Sequence, residues 1–187
     1  IDKELFQQMA DNPSLASEVN IEEVRKDYPL VTKAVVNKYV IPNNYITSHI
    51  VEHPLTYDLG DGVFVSGTCD RIEKPNGSDC YTIVDYKTVA KKPNEYSIPI
   101  NYKYQLLTYA LAFEESTKQL VDHICIVYGV RPQKTIDARC IVVKEEITSE
   151  MWEMIISTLD LIKDTIKLLR EKPEYAYILF KDYNLRK

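Results

Sequence analysis

The chain has 187 residues, of which 45% are hydrophobic and 27% are charged, and its formal net charge at pH 7 is −5. This composition is typical of one soluble globular domain with a sizeable core, and no window approaches the roughly 20 apolar residues of a membrane span. No signal-peptide pattern is present. The negative charge argues against a general nucleic-acid coat protein but is compatible with a local basic strip. The chain begins with Ile1 rather than Met, which leaves open a missing upstream segment.

The first half of the chain predicts two helices followed by three strands. The predicted elements are helices over residues 2–10 and 21–39 and strands over residues 46–59, 63–73 and 80–88. Asn20 is placed to cap the second helix, with Glu22 and Glu23 in its first turn. Tight turns are predicted at residues 60–62 and 75–79, where Gly and Asn are concentrated.

The second half predicts a helix, a hairpin and a long C-terminal helix. These elements are a helix over residues 100–116, strands over 123–130 and 135–143, and a helix over 149–170 with one apolar stripe. The element order predicts an α/β fold in which a mixed central sheet is flanked by helices. We expect one domain over residues 1–187, with an N-terminal helical segment (1–45), a core (46–145) and a C-terminal helical segment (146–187).

Two acids and a lysine lie at the ends of the second and third predicted strands. Asp85 and Lys87 are two residues apart, so their side chains leave the strand on the same face. The turn near Gly77 brings Asp70 roughly opposite Asp85. Because like charges that face each other across a sheet are destabilising, this pairing predicts a divalent cation that both carboxylates bind.

Three motifs in this region resemble a known family. They are Gly67-x-x-Asp70-Arg71, Asp85-Tyr86-Lys87-Thr88 and Gln105-x-x-x-Tyr109. In this order and spacing they resemble the PD-(D/E)XK nuclease superfamily, and within it the RecB-like exonuclease branch. The resemblance is clearest over residues 46–115. It implies a restriction-endonuclease-like core.

The resemblance also implies roles for the motif residues. Asp70 and Asp85 would be ligands of Mg²⁺ or Mn²⁺, and the carbonyl of Tyr86 would complete the metal shell. Lys87 would orient or help to deprotonate the attacking water and offset negative charge. The alternative for Asp70, Asp85 and Lys87 is a surface strand pair with an ordinary Asp–Lys ion contact.

Further residues are candidates for binding nucleic acid. In the family, the pair that corresponds to Gln105 and Tyr109 contacts the DNA strand beside the active site; the alternative is a buried polar Gln and a core Tyr. Four basic side chains and one tyrosine near the catalytic strand are candidates for a basic, aromatic edge of the protein that binds single-stranded DNA. The alternative is an ordinary solvated loop. This set comprises Lys91, Lys92, Lys103, Tyr104 and Arg131.

The chain departs from the RecB-like pattern at an upstream position. Those relatives carry a metal-binding histidine on a helix before the first strand. Here the only histidines are His49, His53 and His123, and none lies on that helix. Either an acid replaces it or the ligand lies in a missing N-terminal segment; the candidate acids are Glu18, Glu22 and Glu23. Glu52, at the first strand, is a candidate to support the metal ligands, or else a surface acid.

The four cysteines do not predict a metal cluster. They are Cys69, Cys80, Cys125 and Cys140, and none shows Cys-x-x-Cys spacing. We expect reduced thiols in a cytoplasmic protein. The iron–sulfur members of this branch, including the CRISPR-adaptation nucleases, use a cysteine cluster that is lacking here, so no iron–sulfur cluster is expected.

The resemblance implies a metal-dependent DNA nuclease, specifically an exonuclease acting on DNA ends or single strands. Phage recombination or bacterial repair would be its setting, in the host cytoplasm if the protein is phage-encoded. A helicase or recombination protein is a candidate partner, and no membrane association is expected. Two alternatives remain open: a catalytically silent relative that binds nucleic acid or protein, and an unrelated α/β binding module with an accidental motif.

Overall fold

A computed structural model describes residues 21–42, 46–131 and 134–176. The helix predicted over residues 2–10, the Asn20 cap and Glu18 lie outside these described residues. So do the tail residues from Tyr177 onward.

The described elements follow the predicted order. The helices are α1 (Ile21–Val35), α2 (Ile100–Thr117) and α3 (Ser149–Glu171). The strands are β1 (Ile46–Gly60), β2 (Val63–Pro75), β3 (Tyr81–Val89), β4 (Val121–Val130) and β5 (Cys140–Glu146). A π-helical turn (Val36–Val40) extends α1, and a short 3₁₀ turn (Asp137–Arg139) precedes β5.

The five strands form one mixed sheet in the order β1-β2-β3-β4-β5. The long hairpin of β1 and β2 is antiparallel, and so is the pairing of β2 with β3. Strands β3 and β4 run parallel, because Tyr81 bonds to Leu120 near their starts and Arg131 bonds to Val89 near their ends. A parallel pair needs a long crossover connection, and α2 provides it. The predicted α/β fold with a mixed sheet and flanking helices is therefore confirmed.

The start of the last strand was predicted wrongly. The prediction placed it at Thr135, whereas β5 begins at Cys140. The Arg139 guanidinium, which is buried, donates to Asp27 of α1 at 3.0 Å and to the carbonyl of Arg131. This long-range contact holds residues 137–139 in a turn, and local sequence pattern cannot reveal it.

Clustering of the backbone separates two compact units. The first comprises residues 1–44, 86–95 and 127–142, and the second comprises residues 45–85, 96–126 and 143–187. The first unit packs α1 on the end of β4. A Cβ atom added at Gly129 would lie 2.5 Å from Cγ1 of Val31, so only glycine allows this close approach. The Lys38 ammonium also donates to the carbonyl of Cys140 at 2.8 Å.

The second unit contains the β1–β2 hairpin, α2 and α3. Its turn uses positive φ angles at Gly60, Asp61 and Gly62, as predicted for residues 60–62. Arg170 of α3 donates to the carbonyls of Asp61 and Gly62 at 2.9 and 3.0 Å, which fixes the turn against the end of the helix. No helix within the described ranges is long and apolar enough to cross a membrane.

The start of α2 is attached to β5. The Glu145 carboxylate accepts a hydrogen bond from the backbone N–H of Ile98 at 2.5 Å and forms a 2.6 Å ion pair with Lys103. A carboxylate near the first turn of a helix is favoured because the free N–H groups and the helix dipole are positive there. The Lys103 side chain is only 19% exposed. The Lys103 side chain thus makes a structural contact with Glu145, and its place in a basic edge stays a prediction.

Candidate active site

Asp70 and Asp85 lie at the end of the ladder between β2 and β3. The paired residues are Glu73 with Thr82, Ile72 with Ile83 and Arg71 with Val84. Asp70 and Asp85 are the next residues along this antiparallel register, so their side chains leave the sheet on the same face. Asp85 is only 3% exposed, and Asp70 is half-buried. The register therefore places two carboxylates next to each other at this end of the ladder.

The pKa of the Cys69 thiol is influenced by the charges of both carboxylates. Burial, together with the negative charges of Asp70 and Asp85, raises its pKa to about 12, although the hydrogen bonds of the thiol act in the opposite direction. Both carboxylates therefore lie close enough to act on one sulfur atom. The Sγ atom donates weakly to the carbonyl of Arg71 at 3.4 Å and of Val84 at 3.9 Å, which spans the β2–β3 ladder directly beside the two acids.

A buried ion pair lies on the opposite face of β2 from Asp70. Arg71 and Glu73 are two residues apart, and their side chains form a 2.5 Å ion pair that is 13% and 5% exposed, respectively. Sequence analysis did not single out Glu73. The available signal was an acid two residues from an arginine on the same strand. The pair gives β2 a polar contact on the face opposite Asp70.

Lys87 follows Asp85 by two positions on β3, so both side chains leave the strand on the same face. Its side chain is half-buried. Tyr86, between them, points to the other face, where its ring meets the ring of Tyr39 edge-on, with centroids 6.3 Å apart.

The Gln-x-x-x-Tyr pair meets the first motif directly. Gln105 and Tyr109 are one turn apart on α2, and the Gln105 amide donates to the Tyr109 hydroxyl at 3.3 Å. A Cβ atom added at Gly67 would lie 2.8 Å from that hydroxyl and 2.9 Å from ring atom Cε1. Gly67 is thus the position that lets α2 approach β2, three residues before Asp70. The motif in the sequence includes this glycine, and its steric role is visible only in the structure.

Replacing Gly67 with alanine should displace the Tyr109 ring. The new methyl group would overlap a hydroxyl and a ring carbon, and such overpacking costs about 1–3 kcal/mol because the contacts lie well below normal separation. We expect a lower free energy of unfolding, measured by urea denaturation. The double variant Gly67→Ala/Tyr109→Leu should recover part of that loss. Additive effects of the two substitutions would contradict a direct contact.

The residues of the predicted basic edge lie in different surroundings, and their binding of nucleic acid stays a prediction. Lys91 and Lys92 are exposed, and Lys92 forms a 2.9 Å ion pair with the exposed Glu95. Arg131 is half-buried, and its backbone bonds to Val89. Tyr104 lies on α2, where it lines a groove together with Gln105 and Tyr109. Lys91 and Lys92 remain predicted nucleic-acid contacts, and Lys103 is engaged by Glu145.

Two of the candidates for an additional metal ligand, Glu52 and Glu22, have described side chains, and their role stays a prediction. Glu52 is exposed and has a positive φ of 48°, a strained conformation for this residue type. The neighbours of Glu52 on β1, Val51 and His53, pair with Arg71 and Cys69 on β2. The backbone of Glu52 is therefore next to Asp70. Glu22 is exposed on α1. Within the described ranges, no group of three or more His, Cys, Asp or Glu side chains could hold a metal ion.

The four cysteines lie on different segments of the chain. Cys69, Cys125 and Cys140 are buried on three different strands, and Cys80 is half-buried just before β3. All four are free thiols.

Comparison with known proteins identifies the family. A profile of the PD-(D/E)XK nuclease superfamily matches residues 2–174. The chain belongs to the PD-(D/E)XK nuclease superfamily. Members of this superfamily are nucleases that generally use divalent metal ions such as Mg²⁺. No curated protein matches the chain.

Two solved structures are similar to this PD-(D/E)XK chain. A provisionally described exonuclease from Eubacterium rectale is 11% identical, with a TM-score of 0.53; the match covers 91% of this chain and 63% of that protein. The protein SSO0001 is 16% identical, with a TM-score of 0.47, and the match covers 86% of this chain and 70% of that protein. At such low identity, the first likeness supports the fold alone. This chain spans less than two thirds of the E. rectale protein.

Proposed function

We propose that this protein is a metal-dependent deoxyribonuclease, specifically a RecB-like exonuclease that hydrolyses phosphodiester bonds at DNA ends or in single strands. The observation that carries the proposal is the position of Asp70 and Asp85, adjacent and on one face at the end of the β2–β3 ladder. The motif lysine, Lys87, follows on the same face of β3. Membership in the nuclease superfamily supports this assignment.

The donor set fits a hard divalent cation. Carboxylate and carbonyl oxygens are the ligands that Mg²⁺ and Mn²⁺ prefer, and Mg²⁺ usually keeps several waters in addition to one or two carboxylates. Asp85 is 3% exposed and lies beside a second carboxylate. At a site with so little solvent, a bound cation would stabilise these neighbouring negative charges better than water can. Asp70, Asp85 and the Tyr86 carbonyl would hold the ion. When bound, it would polarise the scissile phosphate and lower the pKa of a coordinated water.

The protein side chains would supply the remaining chemistry. Lys87 would orient the attacking water and offset the negative charge that grows on the phosphate oxygens in the transition state. Gln105 and Tyr109 would position the DNA strand, with the Gln105–Tyr109 hydrogen bond fixing the orientation of both. Lys91 and Lys92 would contact phosphates, which gives affinity without sequence preference.

We infer a role in processing DNA in phage recombination or bacterial repair. A helicase or recombination protein would supply the single strands or free ends. This setting rests on the resemblance to the RecB-like branch, and nothing in composition points to it.

A nucleic-acid-binding relative without catalysis is the second candidate function. The observation that favours it is the lack, among the described residues, of a group of three or more ligating side chains. The intact set of Asp70, Asp85 and Lys87 opposes it. We expect purified protein to shorten a labelled single-stranded oligonucleotide in Mg²⁺ or Mn²⁺ and to leave it intact in excess EDTA. Binding without cleavage in either metal would favour the silent relative.

A further inference from the structure

One face of α3, within the second unit, is both exposed and apolar. The helix packs against α2 and β1, and its buried residues are Ile155 and Leu159. Leu161 and Leu168, in contrast, are 67% and 39% exposed. An α-helix turns by about 100° per residue, so both of these leucines lie about half a turn around the helix from Leu159. The helix therefore presents a second apolar surface on its outer side.

The exposed leucines belong to a stripe with a seven-residue repeat. The repeat places Met154, Leu161 and Leu168 one above the other, and Thr158 and Thr165 lie between them. We call these five residues the outer stripe. Their spacing, which alternates between four and three residues, is that of the seam along which two helices pack in a coiled coil. The outer stripe therefore fits another helix.

The two threonines preserve the apolar character of the outer stripe. The Thr158 hydroxyl donates to the carbonyl of Met154, and the Thr165 hydroxyl donates to the carbonyl of Leu161, both at 2.8 Å. Each hydroxyl is satisfied within its own helix, and the threonine methyl groups remain available for packing. A partner helix can therefore cover the outer stripe without leaving these hydroxyls unpaired.

The charged residues beside the outer stripe are engaged within the protein. Lys163 pairs with Asp160 at 3.1 Å, and Lys167 pairs with Asp61 of the β1–β2 turn at 2.5 Å. The outer stripe itself carries no cation, so a nucleic-acid backbone would find no partner for its phosphates there. The surface therefore favours a protein partner.

The two ends of the outer stripe carry opposite charges. Glu150 lies four positions before Met154, and Lys172 lies four positions after Leu168, so each is one turn beyond the stripe and exposed. In an antiparallel pair of identical helices, each Glu150 lies beside the Lys172 of the other helix, and the helix dipoles oppose one another favourably. A parallel pair would place like charges together.

We propose that two copies of this protein associate through the outer stripes of their α3 helices, antiparallel and across a two-fold axis near Leu161. A two-fold contact uses the same surface on both copies, which requires a surface that is complementary to itself. Opposite charges at the two ends meet this requirement. Because one pair of helices makes a small interface, we expect a dissociation constant of about 10 μM. No residue of the proposed catalytic set lies on α3, so the proposal is independent of the nuclease function.

Sedimentation equilibrium of the full chain over about 1–100 μM tests the proposal. We expect a reversible monomer–dimer equilibrium. Leu161→Glu should raise the dissociation constant about tenfold or more, because it would bury a charge in the apolar contact. The matched control is Leu120→Glu, since Leu120 is 62% exposed and lies between α2 and β4. This control should dimerise like the unmodified protein.

Reversal of the end charges tests the antiparallel arrangement. Glu150→Lys and Lys172→Glu should each raise the dissociation constant about fivefold, because each replaces two favourable charge contacts with repulsion. The double variant Glu150→Lys/Lys172→Glu should recover the original value, since the same contacts form with their charges exchanged. The two positions lie at opposite ends of α3, about 33 Å apart within one copy, so this recovery requires a second copy.

A monomer at every concentration would overturn the proposal and leave the outer stripe to a different protein or to another segment of this chain. Equal dissociation constants for Leu161→Glu and the unmodified protein would also contradict it. A double charge variant that dimerises no better than the single variants would exclude the antiparallel contact. Cleavage of DNA by a monomer would refute the dimer and leave the nuclease function intact, whereas a dimer that does not cleave would do the reverse.

Discussion

Replacement of Lys87 by alanine is expected to lower the rate of DNA cleavage by about two orders of magnitude or more. The lysine would act on the attacking water and on charge that develops in the transition state. Interactions present only in the transition state affect the rate of reaction and leave ground-state binding nearly unchanged. Affinity for single-stranded DNA should therefore change little, because several cations share the contacts with phosphates.

The measurement is a single-turnover cleavage assay combined with a binding assay on the same labelled strand. Lys144 on β5 is an exposed lysine outside the proposed site, so Lys144→Ala serves as the matched control. We expect the control variant to cleave at the rate of the unmodified protein. Cleavage by Lys87→Ala at that same rate would remove Lys87 from the mechanism.

Replacing either carboxylate with its amide should also abolish most cleavage, but in a way that responds to metal concentration. Asp70→Asn and Asp85→Asn keep the shape of the side chain and remove the negative charge that attracts the cation. We expect a loss of about two orders of magnitude at low metal concentration, with part of the rate recovered at high Mn²⁺ because each variant mainly weakens metal affinity.

A metal titration of all three variants separates these roles. Lys87→Ala should not be rescued by Mn²⁺, since its carboxylates and their charge stay intact. Melting temperatures would show that Asp70→Asn and Asp85→Asn remain folded. Full activity of either amide variant at low metal concentration would exclude that carboxylate as a ligand.

Local patterns were sufficient to predict the strands and turns that carry the motifs. The turn around Asn76 and Gly77 fixes the β2–β3 register, since Gly77 adopts a φ of 76° and Ser78 bonds back to Pro75 at 3.2 Å. Once that turn is placed, counting residues back from it puts Asp70 next to Asp85. The same-face relation of Asp85 and Lys87 needs only the alternation of a strand.

Contacts between distant residues were not predictable in this way. The turn before β5 depends on an ion pair between Arg139 and Asp27, which are 112 positions apart. Gly67 approaches Tyr109 only because α2 crosses over β2, and a single sequence does not specify how closely a helix approaches a strand. The groove lined by Tyr104, Gln105 and Tyr109 has α3 as its second wall, and no sequence motif predicts this packing.

The attachment of α2 to β5 determines how much of the chain the active site needs. All three motifs are complete at Tyr109, so a search by motif alone would suggest that the first 110 or so residues make up the functional module. Glu145 nevertheless holds both Ile98 and Lys103, and these residues set the start of the helix that carries Gln105 and Tyr109. A boundary drawn for gene fusion or domain exchange should therefore lie beyond β5, because the last motif is anchored by a residue encoded about forty codons later.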